Sequence, residues 1–516
     1  MRRHLQSGSA GAGLAAVLAI SIGCQAGDER SQPWFGLEAP PGLGDPHAPV
    51  VDVADVLPAP PVVPPGEEKY SELEGSRILK DVDSITDFSR RDRAAGNRMW
   101  GRVTGRPAAV ETMRWVADRF REAGLESVEL QAYDGTEPMW WPQAWEARLL
   151  ADPAFGSGSV DITLESALPT SGSAISGGTV TAALVDVGRT SDDALPDVDI
   201  EGRIAIQHLR PASGAYSERR QTVARARELM ARGAAAVLNV VEQTGNMHVR
   251  DFSNCDGPCF NIGAADGAFL DAVMTHAAEA GVSDALRMEL ALTTETLTAL
   301  TGQNVVGVVP GRGDETIIVN AHADGWFDAA GDNGDGLAVL LAMARHFAKP
   351  EHRIDRTLVF VASGGHHSRG LNGPSNFVAM NPALTDDTVL VLNLEHIAQL
   401  AIRPGAWTVD ATEQRMSFGI DNESTFLIDA GRRGMERYGF NLNPEFRAAV
   451  PGDLGGYRSL GAARVQAIHS GPMYHTSGDV LATISASGLE RAARFYTFFV
   501  REAAKAALEE IGRGPQ

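Results

Sequence analysis

The chain has 516 residues, more than one ordinary hydrophobic core accommodates, so at least two domains are predicted. Hydrophobic residues make up 44% and charged residues 22%, a balance typical of a folded globular protein. The 45 basic and 66 acidic side chains give a formal net charge of −21, which argues against nucleic acid as a partner because phosphate binding requires clustered Lys and Arg.

Residues 1–24 have the pattern of an export signal. A basic start precedes a run of small apolar residues over 10–23, which is too short for a comfortable transmembrane helix. The run ends with a small residue before Cys24, which resembles the bacterial lipobox; an ordinary cleaved signal is the alternative. The prediction is an exported lipoprotein with a lipid anchor on Cys24, and Gln25 after it implies sorting to the outer membrane.

Residues 25–68 are rich in Pro, Gly and Ala, which predicts an extended, semi-rigid linker. A globular pattern follows. Apolar residues recur at helical spacing over 106–124, and residues 125–133 alternate as a strand does. Together they predict the opening of an α/β domain over residues 69–150.

Residues 151–299 predict a smaller, β-rich α/β insert. Apolar strands are predicted at 180–187, 203–209 and 234–241, with an amphipathic helix at 219–232. The segment holds no cluster of catalytic residue types.

Cys255 and Cys259 are the only cysteines besides Cys24. They lie four residues apart with Gly and Pro between them, so they belong to a turn. In an exported protein this spacing suggests a disulfide across the turn, and a zinc site is the rival interpretation.

Residues 300–512 return to alternating strands and helices and continue the first domain. Residues 356–363 and 387–397 are continuous apolar runs, as expected of central parallel strands. A single long helix is predicted at the C-terminus, over 488–511. The fold class predicted is α/β, with a mixed, largely parallel sheet covered by helices on both faces.

Five short segments place polar side chains where buried strands end or helices begin. They supply, in chain order, His322 with Asp324, Asp332 with Asn333 and Asp335, His366 with His367, Glu395 with His396, and His475 with Asp479. Functional residues of such sheets gather at the carboxyl ends of strands, and mixed imidazole and carboxylate donors suit zinc. Each segment alone is more typical of a turn or a hydrogen-bonded structural His, but their joint order indicates a metal site.

This order of motifs resembles the co-catalytic zinc aminopeptidase and glutamate-carboxypeptidase-like metallopeptidases over about residues 70–510. The insert resembles the protease-associated domain of one branch. The resemblance implies zinc (two ions expected, one possible) and a peptide or amide substrate. The roles that it implies are as follows: His322 as a ligand of one ion, Asp332 as a bridge between both, Glu395 in the place of a ligating Asp, His475 as a ligand of the second ion, and Asp324 as an orienting residue beside His322.

The chain departs from the family where relatives have two adjacent Glu, a general base followed by a ligand. His366 and His367 stand there when the upstream strand is aligned, and His367 and Ser368 when the downstream glycines are aligned. Imidazole is a good zinc ligand, so His367 can replace the second Glu, and His366 is then the candidate base.

The function predicted is therefore an exported metal-dependent exopeptidase of the aminopeptidase type. A catalytically degenerate binding protein with the same fold is the alternative, because the paired Glu are missing. A glutaminyl-cyclase-like transferase also expects a Glu base and is not favoured.

Overall fold

The computed structural model describes residues 32–43, 52–53, 58–192, 194–210, 219–243, 245–250, 255–402, 408–413, 416–440, 442–443, 452–468, 471 and 473–515. The predicted signal peptide, including Cys24, lies outside these residues, so export and lipidation stay predictions. Within the described ranges, no helix combines the length and the apolar character needed to cross a bilayer.

An eight-stranded sheet, here called the site sheet, carries the predicted site residues. Its four central strands are mutually parallel, and antiparallel pairings flank them on both sides. In spatial order the strands are Leu442–Asn443, Met416–Ile420, Ala463–Ile468, Thr388–Leu394, Thr316–His322, Thr357–Ser363, Thr301–Val309 and Glu126–Asp134. The predicted mixed, largely parallel sheet is confirmed.

Both faces of the site sheet are covered. Successive residues of its central strands point to opposite sides, so apolar side chains lie on both faces. Ile317 and Val319 pack into the main core, whereas Ile318 packs with Phe377 and Tyr457 on the other face. The helices associated with this sheet are Gly75–Ala94, Pro107–Ala123, Asp335–Phe347, Gly373–Met380, Pro382–Thr385, Thr425–Tyr438, Ala486–Ala503 and Leu508–Ile511.

A second eight-stranded mixed sheet, here called the insert sheet, contains the strands predicted between residues 180 and 241. Its spatial order is Ile162–Thr163, Met139–Leu149, Arg287–Leu297, Thr179–Arg189, Ile204–Leu209, Ala236–Val241, Cys259–Ile262 and Leu168–Pro169. Helices Arg219–Ala231 and Ala264–Glu279 accompany it. A small third sheet is formed by Asp52–Val53, Thr408–Glu413 and Leu400–Ile402.

Parts of the predicted linker pack against the folded body. The ring of Trp34 stacks on Phe155 with centroids 5.2 Å apart, and its indole N–H donates to the carbonyl of Val160 at 2.8 Å. Further along, Arg491 donates to the backbone carbonyls of residues 59 and 60. The described stretches of the linker thus contact both the insert sheet and the C-terminal helix.

The predicted single C-terminal helix is wrong in one respect, because the structure divides it into Ala486–Ala503 and Leu508–Ile511. The buried guanidinium of Arg356 donates to the carbonyls of Ala503 and Ala506. These bonds satisfy carbonyls that a helix end leaves without an intrahelical partner, and they stabilise the break.

Candidate metal centre

The predicted site begins where neighbouring parallel strands end at one level. His322, the last residue of its strand, pairs in register with Ser363 of one neighbour. The register with the other neighbour, which sets Asn320 opposite Asn393, puts Glu395 level with His322. The imidazole Nε2 of His322 lies 3.9 Å from Oε1 of Glu395 as a result.

Asp332 lies in the turn Ala330–Gly334, directly before the helix that starts at Asp335. The carboxylate of Asp479 accepts the backbone N–H groups of Gly331 at 2.7 Å and of Asp332 at 2.9 Å. This pair of hydrogen bonds fixes the backbone of the turn and with it the direction of the Asp332 side chain.

The carboxylate of Asp332 stands between imidazoles from three different segments. Its Oδ1 lies 3.3 Å from Nε2 of His322 and 3.2 Å from Nε2 of His367. Its Oδ2 lies 3.1 Å from Nε2 of His475. The structure thus brings the predicted ligands His322, His367, Glu395 and His475 together around the carboxylate of the fifth, Asp332.

The backbone after Glu395 is held by the helix that follows Asp332. The amide of Asn333 donates to the carbonyl of Leu394 at 2.8 Å. Asp335 accepts the N–H groups of Ile397 and Ala398 at 2.9 and 2.8 Å. Two of the polar residues in this motif are therefore structural supports of the site.

The segment that carries His475 is held by the insert. Arg250 donates its backbone N–H to the carbonyl of His475 at 2.8 Å. Ser477 and His248 exchange two bonds of 3.0 Å, Ser477 N–H to the His248 carbonyl and His248 N–H to Ser477 Oγ. Val249, between them, forms a β-bridge to the same segment. The insert thereby sets the position of one predicted ligand.

His366 and His367, rather than Ser368, face the site. Asp324 accepts the backbone N–H groups of His366 at 3.3 Å and His367 at 3.0 Å. Its own carbonyl accepts a hydrogen bond from Nδ1 of His322 at 3.0 Å. Ser368 instead turns away, its hydroxyl 3.4 Å from a backbone carbonyl. Asp324 is thus hydrogen-bonded to three of the histidines of the predicted site.

The imidazole of His366 forms a pair with Asp453, a residue that the sequence patterns did not single out. Its Nδ1 lies 2.7 Å from Oδ1 of Asp453, while Nε2 lies 3.6 Å from Oε1 of Glu395. Asp453 also accepts from Asn320 at 3.0 Å and Ser363 at 2.9 Å. Burial alone would lower the pKa of His366, as would the nearby His322, but the two carboxylates outweigh these effects and raise it to about 9.

Burial and neighbouring charges also shift the pKa values of the other ionisable groups in the site. Burial would raise the pKa of Asp332, but His367, His396 and His322 lower it well below the usual range. Burial lowers the pKa of His367 to about 4 despite the neighbouring Asp332. By contrast, burial and the charge on Asp332 raise the pKa of Asp479 to about 7, against the hydrogen bonds it accepts.

The donors fit a metal ion better than they fit one another. Nε2 of His322 and Oδ2 of Asp332 are buried and, in the described part of the chain, have no hydrogen-bond partner. Leaving such atoms unsatisfied is costly. Imidazole and carboxylate donors suit Zn²⁺, which takes both at about 2.0–2.2 Å. The groups His322, His366 and His367, and Asp332, His367 and His475, each have donor atoms within 4.8 Å of one another.

A second buried cluster, Glu72 with His346 and His352, is explained without a metal. Glu72 accepts a hydrogen bond from His346 at 2.8 Å and pairs with the ammonium of Lys349. His352 is bonded to the carbonyl of His346 at 3.1 Å. Burial would raise the pKa of Glu72, but the bonds from His346 and Lys349 lower it to about 2. The ammonium of Lys349 already neutralises the carboxylate of Glu72.

The two cysteines of the insert are joined. Cys255 and Cys259 form a disulfide with their Cα atoms 6.0 Å apart, and both side chains are buried against the insert sheet. The pair packs with Val187, Val237 and Leu229 in a hydrophobic cluster of the insert.

The comparisons with known proteins agree with this geometry. Residues 304–500, which contain every residue of the predicted metal site, match Peptidase family M28. Among curated proteins no match is found.

Solved structures show the same fold over most of the chain. A peptidase M28 precursor from Shewanella amazonensis SB2B has a TM-score of 0.66 at 17% identity and covers 87% of this chain and 98% of that one. A zinc aminopeptidase from Bacillus subtilis has a TM-score of 0.56 at 20% identity, covering 85% and 98%. An aminopeptidase from Aneurinibacillus sp. strain AM-1 has a TM-score of 0.53 at 20% identity, covering 87% and 97%. At these identities the likeness shows a zinc aminopeptidase-like fold and not an activity.

Proposed function

We propose that the chain is an exported, zinc-dependent exopeptidase of the aminopeptidase type. The observation that carries the proposal is the position of Asp332 between two sets of donors. His322 and Glu395 stand on one side, with Nε2 of His322 3.3 Å from Asp332 Oδ1. His367 and His475 stand on the other, 3.2 and 3.1 Å from its two oxygens. The match of residues 304–500 to Peptidase family M28 supports the same conclusion.

In this proposal Asp332 would be shared by two zinc ions, of which His322 and Glu395 would hold one and His367 and His475 the other. Zinc in such a site lowers the pKa of bound water towards 7 and polarises a carbonyl. Asp324 holds the orientation of the histidines through the bonds described above.

His366 takes the place of the missing Glu as proton acceptor. Zinc ions beside His366 would lower its pKa from about 9, so that the imidazole is neutral when it acts. In that form Nδ1–H donates to Asp453 at 2.7 Å, and the lone pair is on Nε2. A base must lie within hydrogen-bond reach of the proton that it accepts, and the side chain of His366 remains 15% exposed to the site opening. Asp453 stabilises the imidazolium that forms when Nε2 takes up the proton.

The test uses the full chain and measures zinc content together with release of the N-terminal residue from a panel of aminoacyl reporters. We expect chelator-sensitive turnover by the wild type. Asp332→Asn should lose both zinc and turnover. His366→Gln should keep its zinc and lose about 10²–10⁴-fold in turnover, the usual contribution of a general base. His276→Gln, on the helix Ala264–Glu279 of the insert, is the control and should match the wild type.

A zinc-loaded wild type that releases neither N-terminal nor C-terminal residues would overturn the proposal in favour of a degenerate binding protein. Full turnover by His366→Gln would overturn only the role of His366. The ranking of turnover across the reporter panel gives the preferred substrate side chain.

Export and the lipid anchor on Cys24 are part of the proposal on sequence grounds alone. The support is the basic start, the short apolar run and the small residue before Cys24. Incorporation of labelled palmitate into the wild type, lost in Cys24→Ala, is the expected result; equal labelling of both would contradict it.

A further inference from the structure

His396 lies beside the predicted ligand Glu395 and points into the same space. It is 2% exposed and has a φ of +52°, in the left-handed region that is uncommon for non-glycine residues but that His, Asn and Asp adopt more often than the others. The next two residues, Ile397 and Ala398, are fixed by Asp335. The backbone on the C-terminal side of this buried ring is therefore held in place.

The distances around His396 are too long for hydrogen bonds. Its Nε2 lies 3.6 Å from Oδ1 of Asp332 and 3.7 Å from Oε1 of Glu395. Hydrogen bonds between nitrogen and oxygen are about 2.7–3.2 Å long. A buried imidazole held this way is costly unless something else binds it.

The same distances fit the edges of a metal coordination shell. Tetrahedral donors at about 2.0–2.1 Å from zinc are about 3.3–3.4 Å from one another. His322 Nε2 lies 3.3 and 3.9 Å from the same two oxygens that His396 Nε2 approaches at 3.6 and 3.7 Å. The four nitrogen-to-oxygen distances among these donors are thus close to, and slightly longer than, the edges of a tetrahedral set.

His366 is the competing donor, and its geometry is less suitable. Its ring is stacked on that of His322, with centroids 4.0 Å apart and an interplanar angle of 9°. The lone pair of an imidazole lies in the ring plane, so two stacked, nearly parallel rings do not direct their lone pairs at one ion.

We infer that His396 is a ligand of the ion bound by His322, Asp332 and Glu395, which gives that ion two imidazoles and two carboxylates. This inference rests on the proposed function and adds a ligand to its metal site. With Asp332 as the bridge, each ion then has at least three protein ligands.

The test compares zinc affinity and cobalt spectra of the full chain and its variants. Zinc is titrated in competition with a chelating dye, and Co²⁺ absorption reports the coordination number. We expect His396→Gln to lower the affinity for one zinc ion at least about 100-fold, since the loss of a group that only supports a ligand already lowers metal affinity 10–100-fold. His396→Asp, which restores a donor, should recover much of that loss.

Two further variants separate the explanations. His366→Gln should keep both affinities within about threefold of the wild type. His346→Gln removes an equally buried imidazole from the Glu72 cluster and should leave zinc binding unchanged, whatever it does to stability.

Wild-type affinities and spectra in His396→Gln would overturn the inference, and loss of one ion in His366→Gln instead would assign the position to His366. A wild type that binds two ions and hydrolyses peptides while His396→Gln is unaffected refutes only this inference. A wild type that binds no zinc refutes the proposed function as well.

Discussion

Arg102 is a buried support of the metal centre, and its removal gives the sharpest structural prediction. Its side chain is fully buried, and its guanidinium donates to four acceptors at 3.1 Å or less, with the carbonyl of Ile85 further away at 3.5 Å. These are the carbonyl of Ala323 at 3.1 Å, the hydroxyl of Ser89 at 2.9 Å, and the carbonyls of Asp328 and Ala329 at 2.7 and 2.9 Å. The acceptors belong largely to the loop that joins His322 to Asp332.

Arg102→Leu should cost about 4 kcal/mol of unfolding free energy. Each buried acceptor left without its donor costs about 1–3 kcal/mol, and water entry reduces the sum of four such terms towards its lower end. The loop also contains Ala329 at a φ of +50°, a strained conformation that the two neighbouring carbonyl bonds stabilise. Relaxation of this loop should move Asp332 relative to His322 and weaken zinc at least about tenfold, as loss of an outer support does.

The assay is urea unfolding with chelator present, so that bound zinc adds no stability, followed by zinc titration of the folded protein. Arg356→Leu is the matched control, because Arg356 is also buried and also donates to backbone carbonyls, at the C-terminal helix. It should lose similar stability and keep its zinc affinity. Wild-type zinc affinity in Arg102→Leu, or equal zinc loss in both variants, would refute the reasoning.

Two further predictions concern the insert and the buried Glu72. Ser477→Ala removes the hydroxyl that accepts the N–H of His248, so zinc at the His475 side should weaken about tenfold while the other ion is retained; an unchanged two-step zinc titration would contradict this. The pKa of Glu72 is about 2 in the folded chain against an ordinary 4.5, so its ionised form contributes up to about 3 kcal/mol above pH 4.5, and this contribution is lost as the pH falls through 2. The stability difference between wild type and Glu72→Gln, from urea unfolding, should therefore be largest near pH 7 and shrink below pH 4.5; a difference independent of pH would show that Glu72 acts by packing alone.

The fold could be predicted where burial on both faces of the site sheet produced continuous apolar runs. The helix Gly75–Ala94 was not predicted, because its buried residues Ile78, Val82 and Ile85 are spaced among many charged side chains. The strand Met139–Leu149 was missed as well. It contains Pro142, which the structure accommodates at a register shift of the pairing with the neighbouring strand.

The site could be predicted only where its residues follow strands or precede a helix. Asp453 lies 87 residues from His366 and sits in a short helical segment that resembles an ordinary turn in sequence. His396 did carry a signal, since it follows Glu395 at the end of a buried strand, but a lone His there is more often structural. Only the inward direction of its ring, which the backbone sets, distinguishes a proposed metal ligand from a structural His at this position.

The position of Asp453 supplies part of the negative charge that a site without the paired Glu lacks. Without zinc, His366 has a pKa of about 9, so it is protonated at neutral pH and its pair with the ionised Asp453 has no net charge. Zinc ions beside His366 would lower that pKa, and a neutral His366 with an ionised Asp453 then carries one negative charge, the same as one Glu. Burial would raise the pKa of Asp453, but His366, His322 and Asn320 lower it to about 2, so the carboxylate is ionised at neutral pH. The 2.7 Å contact transmits that charge to the imidazole while leaving Nε2 available. The negative charge therefore lies on Asp453, one hydrogen bond further from the proposed metals than a Glu at position 366 would place it. A nitrogen base stands where a carboxylate would be expected.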